Sequence, residues 1–487
     1  MTEEEIYQKL QKIFGSKFIS NDPDVLKEFT ADLSFVDGKL PKYIVWPSKT
    51  KHIEKILKLA NVLGFSLIPV SSSSSVRYHG DILPQRDNSV IVDLSKMNKI
   101  LSIDRKNRVI MVEPGVVFGD LLPILRKKGL KLVHPLLPRY GKSVLTSALE
   151  RVPTTIPRYQ WDSSDPLLCT EVIFGTGDLF RTGTAAGPGT LKQQRKSGQA
   201  QINPMGPTQF SPFRLLQGAQ GSLGIVTWST LKLEINPSLQ QIFHIQSDNL
   251  DELLKFQYML LKHRLCDELL ILNNLNLACL VKTHNDEINN LAKSLKEWNL
   301  IYVISGKGVL PEDRLNYLKR DIEDIKKELK VNNIEEKSPI NQAEILNFLN
   351  NSTTDPWRLR FKGGFQDIFF LSSFEKIPEF ISLAKNLVPH DLGIYIQAIN
   401  QGTSYHCEFD MYYNPNDIKE IENIKNKFIE ISNELMDIGA FFNRPYGLWA
   451  KEVYKRHEES TQIALRKVKK IFDPNNILNP GVLCFDD

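Results

Sequence analysis

The sequence has few cysteines, no long apolar run and no strong charge of either sign. Its five cysteines are spread over 487 residues without a CxxC pair, which argues against a disulfide framework, an iron–sulfur cluster and a zinc site. A net charge of +4 is too dilute for a nucleic-acid binder. No run of about 18 apolar residues is present to span a bilayer, and the acidic start does not resemble a secretory signal. These absences predict a cytoplasmic protein without nucleic-acid partners.

The composition is that of a large globular protein, with 41% hydrophobic and 24% charged residues. At roughly 150 residues per domain, the chain has room for about three domains, or for two if one is a large α/β unit. Near residue 238 the sequence changes from a glycine-punctuated region of short strands to long amphipathic helices separated by strands. We therefore expect two domains.

Both regions contain recognisable secondary-structure patterns. Segment 43–46 predicts a strand, segment 53–63 a helix, and segment 65–70 a second strand parallel to the first. In the second region, segments 393–399 and 406–413 predict an antiparallel pair of strands. An α/β unit is therefore expected first, and a mainly antiparallel sheet covered by helices second.

A run of five serines, Ser71 to Ser75, follows the second predicted strand and leads to Gly80. Loops at the carboxyl ends of parallel strands are common ligand sites, because their backbone N–H groups point outward. Small hydroxyl side chains would let such a backbone approach a diphosphate. A flexible serine linker explains the same residues equally well.

Six segments, in order along the chain, resemble successive motifs of the vanillyl-alcohol oxidase and p-cresol methylhydroxylase superfamily of flavoproteins. They include QGAQGSLGIVT and FDPNNILNPG, and they occupy residues 90–100, 112–121, 143–151, 171–183, 217–227 and 472–481. The resemblance covers about 43–237 and the stretch from about 439 onward. The middle of the chain matches only in its general pattern of long amphipathic helices separated by strands, and not in any motif.

The resemblance implies an α+β, two-domain FAD-binding fold of the p-cresol methylhydroxylase type. Residues 1–237 and 439–487 would form the FAD-binding domain, and residues 238–438 a substrate-binding cap domain. It also implies FAD as cofactor, a small-molecule substrate, an electron acceptor that no motif specifies, and a homodimer. No metal is implied.

The resemblance also assigns residues to the cofactor. The serine loop would hold the diphosphate, the glycine-containing segment near 221 would bind FAD through its main chain, and the remainder would line the cofactor or the domain junction. The residues so assigned are Pro69, Ser71, Ser72, Ser73, Ser74, Ser75, Gly80, Pro114, Gly115, Ser143, Ser147, Gly221, Ser222, Gly224, Ile225, Val226 and Asn479.

Two departures from the family concern the cofactor. Serines replace the usual glycines of the diphosphate loop, which predicts weaker FAD binding. Relatives that attach FAD through this loop carry a histidine where this chain has Ser74. A dissociable flavin is therefore expected, with attachment through His406 or Tyr405 of the cap left open.

Other departures concern the substrate. Arg444 matches an arginine that stabilises phenolate in the 4-alkylphenol oxidisers, but Asn443 stands where its partner tyrosine is expected. Asp162 is the candidate replacement for the family's active-site acid. The two-histidine motif of the hydroxy-acid dehydrogenases is absent from the cap, which has Tyr405 to Asp410 instead.

Two patches of the cap have more than one interpretation. As a strand, segment 405–410 would place His406, Glu408 and Asp410 on one face, which is either a metal or acid–base cluster or a polar solvent-facing side. Arg358, Arg360 and Lys362 would likewise share one face, and a solvated edge is favoured over an anion pocket.

The sequence predicts an FAD-dependent oxidoreductase that removes a hydride from an alcohol or benzylic carbon, and the expected substrate is aromatic, of the 4-phenol type. Arg444 would supply positive charge, His406 and Asp162 acid–base chemistry, and Tyr446 and Tyr405 hydrogen bonds to the substrate. A 2-hydroxy acid dehydrogenase that binds carboxylate through Arg358 or Arg360 is the second hypothesis. A flavin-binding subunit that only transfers electrons or scaffolds a complex is the third.

Overall fold

The computed structural model describes residues 3–73, 76–157, 166–199, 201–206, 212–329 and 338–485. The strands are β1 (Ile19–Ser20), β2 (Tyr43–Val45), β3 (Ser66–Val70), β4 (Ser89–Asp93), β5 (Ile100–Asp104), β6 (Val109–Val112), β7 (Leu130–Leu132), β8 (Leu167–Phe174), β9 (Leu179–Arg181), β10 (Gly224–Ile235), β11 (Leu239–Ser247), β12 (Glu268–Asn273), β13 (Trp298–Gly306), β14 (Gly364–Ser372), β15 (Leu392–Ile399) and β16 (Ser404–Tyr413).

The α-helices are α1 (Glu3–Phe14), α2 (Pro23–Lys27), α3 (Thr50–Leu63), α4 (Phe118–Lys127), α5 (Val144–Leu149), α6 (Leu191–Lys196), α7 (Phe213–Leu216), α8 (Leu250–Lys262), α9 (Asn274–Val281), α10 (Asn285–Ser294), α11 (Pro311–Leu329), α12 (Gln342–Asn350), α13 (Ile377–Leu387), α14 (Ile418–Asp437), α15 (Gly447–Arg456) and α16 (Glu459–Phe472). None of these helices is both long enough and apolar enough to cross a membrane.

The first sheet has the strand order β1-β2-β4-β3. β2 and β3 both run parallel to β4, which lies between them, so the predicted parallel strand–helix–strand unit is confirmed. Its core strands are almost continuously apolar because both faces are covered. Leu67 packs among residues of α1 and α3 on one face, and Ile68 packs toward α2 on the other.

The connecting helix α3 has apolar residues at helical spacing. Ile53, Ile56, Leu57 and Ala60 are fully buried against the sheet. Gly64 ends the helix with a φ of 71°, a left-handed conformation that glycine adopts without a steric penalty. The chain then enters β3 and delivers the serine loop to the carboxyl end of a parallel strand.

The second sheet is antiparallel, with strand order β5-β6-β10-β8-β9 and with β7 also pairing with β10. β8 is buried along its whole length, whereas β5 is only partly buried. β10 begins at Gly224, next to the carboxyl end of β8. The glycine-containing segment before β10 is thereby held close to β3.

The third sheet contains the later strands in the order β11-β13-β12-β15-β16-β14, and all its pairings are antiparallel. One face packs on α8, α11, α13 and α14, and the other on α9, α10 and α12. The predicted pair β15–β16 is present, with a short link containing Gly402. The α+β fold class, with an antiparallel sheet covered by helices, is confirmed.

The end of the chain returns to the first sheet. The N–H of Leu67 donates to the carbonyl of Ile477 over 2.7 Å, and the N–H of Asn479 donates to the carbonyl of Leu67 over 2.9 Å. The segment after α16 therefore extends the edge of β3. The predicted domain boundaries stay a prediction; β11 begins at Leu239 and α14 ends at Asp437.

Candidate active site

Two adjoining cavities lie around the carboxyl end of β3. The first, of about 1150 Å³, is bordered by the serine loop, α5 and the segment before β10. The second, of about 800 Å³, is bordered by α5 and the third sheet. Both cavities are lined by Tyr78, His79, Arg139, Lys142 and Glu150. A molecule in the first cavity would therefore border a molecule in the second.

The serine loop folds onto the start of α5. Ser71 and Ser72 line the first cavity directly after β3. The hydroxyl of Ser71 is hydrogen-bonded to the hydroxyl of Thr146, and the N–H of Ser143 donates to Oγ of Ser72 over 3.1 Å. These contacts hold two of the five serines against the cavity.

Close backbone packing forms the opposite wall. Gly221 has a φ of 70°, and a Cβ there would lie 2.4 Å from Cγ of Pro69. A Cβ on Gly224 would lie 2.6 Å from a methyl group of Val172. No side chain fits at either position, so the main chain itself faces the cavity. The predicted cofactor residues that line the first cavity are Pro69, Ser71, Ser72, Pro114, Gly221, Gly224, Ile225 and Val226.

Two of the predicted cofactor residues, Ser143 and Ser147, do not line the first cavity. Ser143 is fully buried, caps α5 by accepting from the N–H of Thr146, and donates to the carbonyl of Pro114 over 2.5 Å. Ser147 lines the second cavity instead of the first. Leu145 and Thr146, the two residues before Ser147, line the first cavity, since successive residues of a helix are rotated by about 100° from one another.

Asn479 connects two walls of the first cavity without lining it. Its Nδ2 donates hydrogen bonds of 2.7 Å to the carbonyls of Asp81 and Gln220. Its φ of 37° belongs to the left-handed region that asparagine tolerates better than most residues. The residue thus joins the loop after β3 to the segment before β10.

The other predicted cofactor residues lie beside the first cavity. Gly80 donates its N–H to Asp32, Gly115 packs against three backbone carbonyls, and Ser222 donates to the carbonyl of Ala219. Ser73 is exposed. The predicted residues Ser74, Ser75 and Asp162 lie outside the described part of the chain.

A carboxyl group borders the first cavity next to an ion pair. Nζ of Lys142 lies 2.6 Å from Oε2 of Glu150, and Asp81 lines the same cavity. Burial, together with the negative charge of Glu150, raises the pKa of Asp81 to about 7. The charge in this cavity therefore changes near neutral pH.

The second cavity combines aromatic walls with a buried cation. The guanidinium of Arg444 stacks over the ring of Phe369 at 4.1 Å, and the side chain is 5% exposed. Trp357 and Tyr395 form further aromatic walls. Within the described part of the chain, Arg444 forms no ion pair.

The charged face of β16 is neutralised inside the protein. Nε of Arg358 lies 2.9 Å from Oδ1 of Asp410, and the same guanidinium contacts Glu408. Glu408 also accepts from His406 over 3.0 Å, and Asn276 donates to Asp410 over 2.8 Å. The predicted grouping of the three polar side chains on one face is observed, but that face is not exposed to solvent.

The same contacts determine which of these groups carry charge. Burial raises the pKa of Glu408, but the positive charge of Arg358 outweighs it and holds the pKa well below its usual value. Burial raises the pKa of Asp410 and lowers that of His406. The described residues contain no His, Cys, Asp and Glu grouping suited to a metal ion.

Two residues predicted to act on the substrate do not line the second cavity. Tyr405 points to the opposite face of β16, where it is fully buried and packs near Phe374. Its side chain lines neither cavity, so this placement does not favour its assignment to the substrate. His406 is 2% exposed and lies behind Glu408, which lines the second cavity. Direct proton transfer from the substrate to His406 does not fit this placement.

The segment with three basic residues is also corrected by the structure. Trp357–Leu359 form a short 3₁₀ helix, not a strand, so the basic side chains diverge. Arg360 donates to the carbonyls of Cys279 and Leu280, and Lys362 pairs with Glu420. Neither a common anion pocket nor a solvated edge is formed.

Two family models match this chain. Residues 41–182 match the family described as FAD binding domain, and residues 446–483 match the family described as FAD linked oxidases, C-terminal domain. Both matched segments contribute residues to the lining of the first cavity, and the remaining wall, 216–226, lies between them in the sequence. The chain is an FAD-linked oxidoreductase.

Relatives of this FAD-linked oxidoreductase are distant, and some of them match over nearly its whole length. It is 23% identical to the D-lactate dehydrogenase of Anaerostipes hadrus, over 99% of this chain and 97% of the relative. The structure of p-cresol methylhydroxylase with substrate bound superposes with a TM-score of 0.81 at 18% identity, covering 99% of this chain and 97% of that one. The 4-ethylphenol oxidase of Gulosibacter chungangensis gives 0.79 at 18% identity, with 98% and 96% covered. The p-cresol methylhydroxylase fold is therefore confirmed.

The first cavity of the oxidoreductase fits its FAD cofactor. The close-packed glycines expose main chain along one wall, two serine hydroxyls border another, and the buried hydroxyl of Tyr446 has no hydrogen-bond partner among the described residues. Ser71, Ser72 and the main chain of 218–226 would hold the cofactor. Bound FAD supplies a two-electron acceptor that takes a hydride.

Tyr446 lines the first cavity, not the second, so its position favours a role toward the cofactor over the predicted role toward the substrate.

Several other residues that line the cavities of the oxidoreductase were not identified from the sequence. A histidine directly before Gly80 in a diphosphate loop was a signal for His79. No sequence signal marked the others, because tertiary packing brings them together. The missed residues are Arg77, Tyr78, His79, Asp81, Arg139, Lys142, Thr146, Glu150, Trp357, Asp367, Phe369 and Tyr395.

Proposed function

We propose that this enzyme oxidises an alcohol or benzylic carbon of an aromatic, 4-phenol-type substrate in the second cavity, next to FAD in the first. The observation that carries the proposal is Arg444, a buried guanidinium without an anionic partner among the described residues, placed in an aromatic cavity. An uncompensated buried charge is costly, so the site favours an anionic ligand. A phenolate supplies both the negative charge and the aromatic ring.

Arg444 has the chemistry that this role requires. Its guanidinium stays charged at working pH and can stabilise negative charge that develops on the substrate. Arg358 cannot serve the same purpose, because Asp410 and Glu408 already occupy it. Trp357, Phe369 and Tyr395 would hold the ring of the substrate.

A 2-hydroxy acid is the second candidate substrate, and the similarity to a D-lactate dehydrogenase over almost the full chain favours it. The two arginines suggested by the sequence as carboxylate anchors are engaged elsewhere, Arg358 by carboxylates and Arg360 by carbonyls. Under this hypothesis, Arg444 would bind the carboxylate. The aromatic lining then has no partner in a substrate as small as lactate.

Anaerobic mixing of the FAD-loaded enzyme with candidate substrates tests the proposal. We expect 4-hydroxybenzyl alcohol to bleach the flavin. Benzyl alcohol, the matched control without the phenol hydroxyl, should bleach it at least about ten-fold more slowly. It leaves the buried charge of Arg444 without an anionic partner, which costs more than about 1.4 kcal/mol. Faster bleaching by D-lactate or glycolate would support the hydroxy acid instead. Bleaching by none of these compounds would favour a non-catalytic flavin subunit.

We also propose that FAD is bound without a covalent link. Support comes from Tyr405 and His406, the two attachment candidates in the cap, which do not line the first cavity. Acid precipitation of the purified enzyme should leave the yellow colour in the supernatant. Colour retained in the pellet would contradict this proposal.

A further inference from the structure

His79 lies where the two cavities meet, and its ring is held from several sides. The residue lines both cavities, so its side chain is placed between the cofactor and substrate sites. The ring stacks on Tyr446, and it contacts Tyr78 and Phe369 edge-on at centroid distances of 4.8 and 5.4 Å. Such packing fixes the imidazole in one orientation before any substrate binds.

One ring nitrogen of His79 is engaged and the other is not. Nε2 lies 3.2 Å from Oδ2 of Asp367, a residue of β14 that is 5% exposed. No described residue hydrogen-bonds to Nδ1. A carboxylate at Nε2 favours the tautomer that carries its proton there, which leaves a lone pair on Nδ1.

Asp367 faces a second carboxyl group across the sheet. It is directly opposite Asp410 in the β14–β16 ladder, and its negative charge is one of the causes that raise the pKa of Asp410. Asp410 is bonded to Arg358, whereas Asp367 is bonded to His79. The two facing carboxyl groups therefore have separate basic partners.

The described carboxylates along the second cavity could also accept a proton, but each already has a charged or hydrogen-bonding partner. Glu150 is paired with Lys142, and Glu408 is paired with Arg358. Asp367 faces His79. Among the described carboxylates and imidazoles that line this cavity, only His79 has both a partner that orients it and a second proton-accepting atom, Nδ1, without a hydrogen-bond partner.

His79 also keeps an unusual backbone conformation. Its φ of 100° lies in a region that side chains other than glycine rarely adopt. The N–H of the next residue, Gly80, donates to Asp32 over 2.8 Å and holds the loop in place. Strain of this kind is found at functional sites, where the surrounding structure maintains it.

We propose that His79, oriented by Asp367, is the catalytic base that accepts the hydroxyl proton of the substrate. The inference rests on the proposed oxidation of an alcohol. As the substrate C–H bond breaks, its electron pair leaves with the hydride, for which bound FAD would supply the acceptor. The O–H bond breaks, its proton passes to Nδ1 of His79, and the C=O bond of the product forms. Asp367 is a positioning residue that keeps the lone pair directed to the substrate.

Variants of the FAD-loaded enzyme test this assignment. His79→Gln keeps a donor toward Asp367 but has no base, so we expect anaerobic flavin reduction by 4-hydroxybenzyl alcohol to slow by a factor of roughly 100 to 10,000. The dissociation constant of FAD should stay within about three-fold, because the proposed role concerns the substrate and not the cofactor. His390→Gln, at an exposed site, is the matched control and should reduce at the wild-type rate.

Chemical rescue separates acid–base chemistry from a structural role. His79→Gly suits the positive φ, and added imidazole should restore a large part of its lost reduction rate. Asp367→Asn should slow reduction and move the ring proton of His79 from Nε2 to Nδ1, seen in ¹⁵N spectra of histidine-labelled holoenzyme. A wild-type spectrum with the proton on Nδ1 would overturn the proposal.

The remaining outcomes have different consequences. Equal reduction rates in wild type and His79→Gln, or no imidazole rescue, would refute the role of His79 and leave the proposed function intact. If D-lactate proves to be the substrate, the same variants are compared with D-lactate, since it also loses a hydroxyl proton. A wild-type enzyme that no alcohol reduces would overturn the proposed function and the catalytic base with it.

Discussion

The imidazole of His79 lies almost parallel to the ring of Tyr446, with centroids 4.6 Å apart and planes at 12°. The contact joins the loop after β3 to the segment just before α15, so it connects early and late parts of the chain. The hydroxyl of Tyr446 is buried, no residue in the described part of the chain hydrogen-bonds to it, and the side chain lines the first cavity. The stack therefore holds a phenolic hydroxyl next to the cofactor site.

Tyr446→Phe should weaken FAD binding and leave the substrate KM unchanged. The variant keeps the stack on His79 and removes only the hydroxyl, so we expect the dissociation constant of FAD to rise about three- to ten-fold, equivalent to one hydrogen bond. Calorimetric titration of the apoprotein with FAD measures it. Tyr446→Ala, which also removes the ring from the wall of the first cavity, should weaken binding further. A larger change in KM than in FAD affinity would return Tyr446 to the substrate site.

Ser72→Glu should abolish FAD binding, whereas Ser73→Glu should not. Ser72 lines the first cavity, so a carboxylate there would lie against the diphosphate of the cofactor. Ser73 is exposed and provides a matched control one residue away. The flavin absorbance of each purified variant decides the question. A yellow Ser72→Glu protein would contradict the placement of the diphosphate at this loop.

Arg444→Met should retain FAD and slow flavin reduction by the phenol substrate roughly 100- to 1000-fold, the usual effect of removing one preorganised electrostatic partner. Arg444→Lys should restore only part of the rate, because a point charge replaces a planar guanidinium. Rapid mixing under anaerobic conditions gives the rates. If Arg444 had only a structural role, the rate would stay unchanged and thermal stability alone would fall.

The affinity for FAD should fall as the pH rises through about 7, where Asp81 in the cofactor cavity loses its proton. Because its folded-state pKa is raised, the native apoprotein binds more protons than the unfolded chain between its usual pKa and pH 7, so stability decreases across that range. Asp81→Asn should flatten both profiles and show the larger stability gain above pH 7. Parallel profiles in variant and wild type would contradict this assignment.

The sequence by itself determined the cofactor and much of the architecture. Parallel strands around the serine loop follow from local apolar patterns and from glycine and turn residues, which act over a few positions. The alternation of polar and apolar residues in β16 placed His406, Glu408 and Asp410 on one face, because side chains of a strand alternate. The motif at 217–227 identified the backbone wall of the FAD cavity.

Only the tertiary structure decided which polar groups remain available for chemistry. Arg358 and Arg444 are both arginines of the same region in space, yet Asp410 and Glu408 occupy the first and no described carboxylate occupies the second. His406 is likewise buried behind Glu408, while His79 reaches the junction of the cavities. These differences depend on contacts between residues up to several hundred positions apart in the chain. A local pattern specifies the face of a strand or helix, but the partner opposite that face is set by how the elements pack.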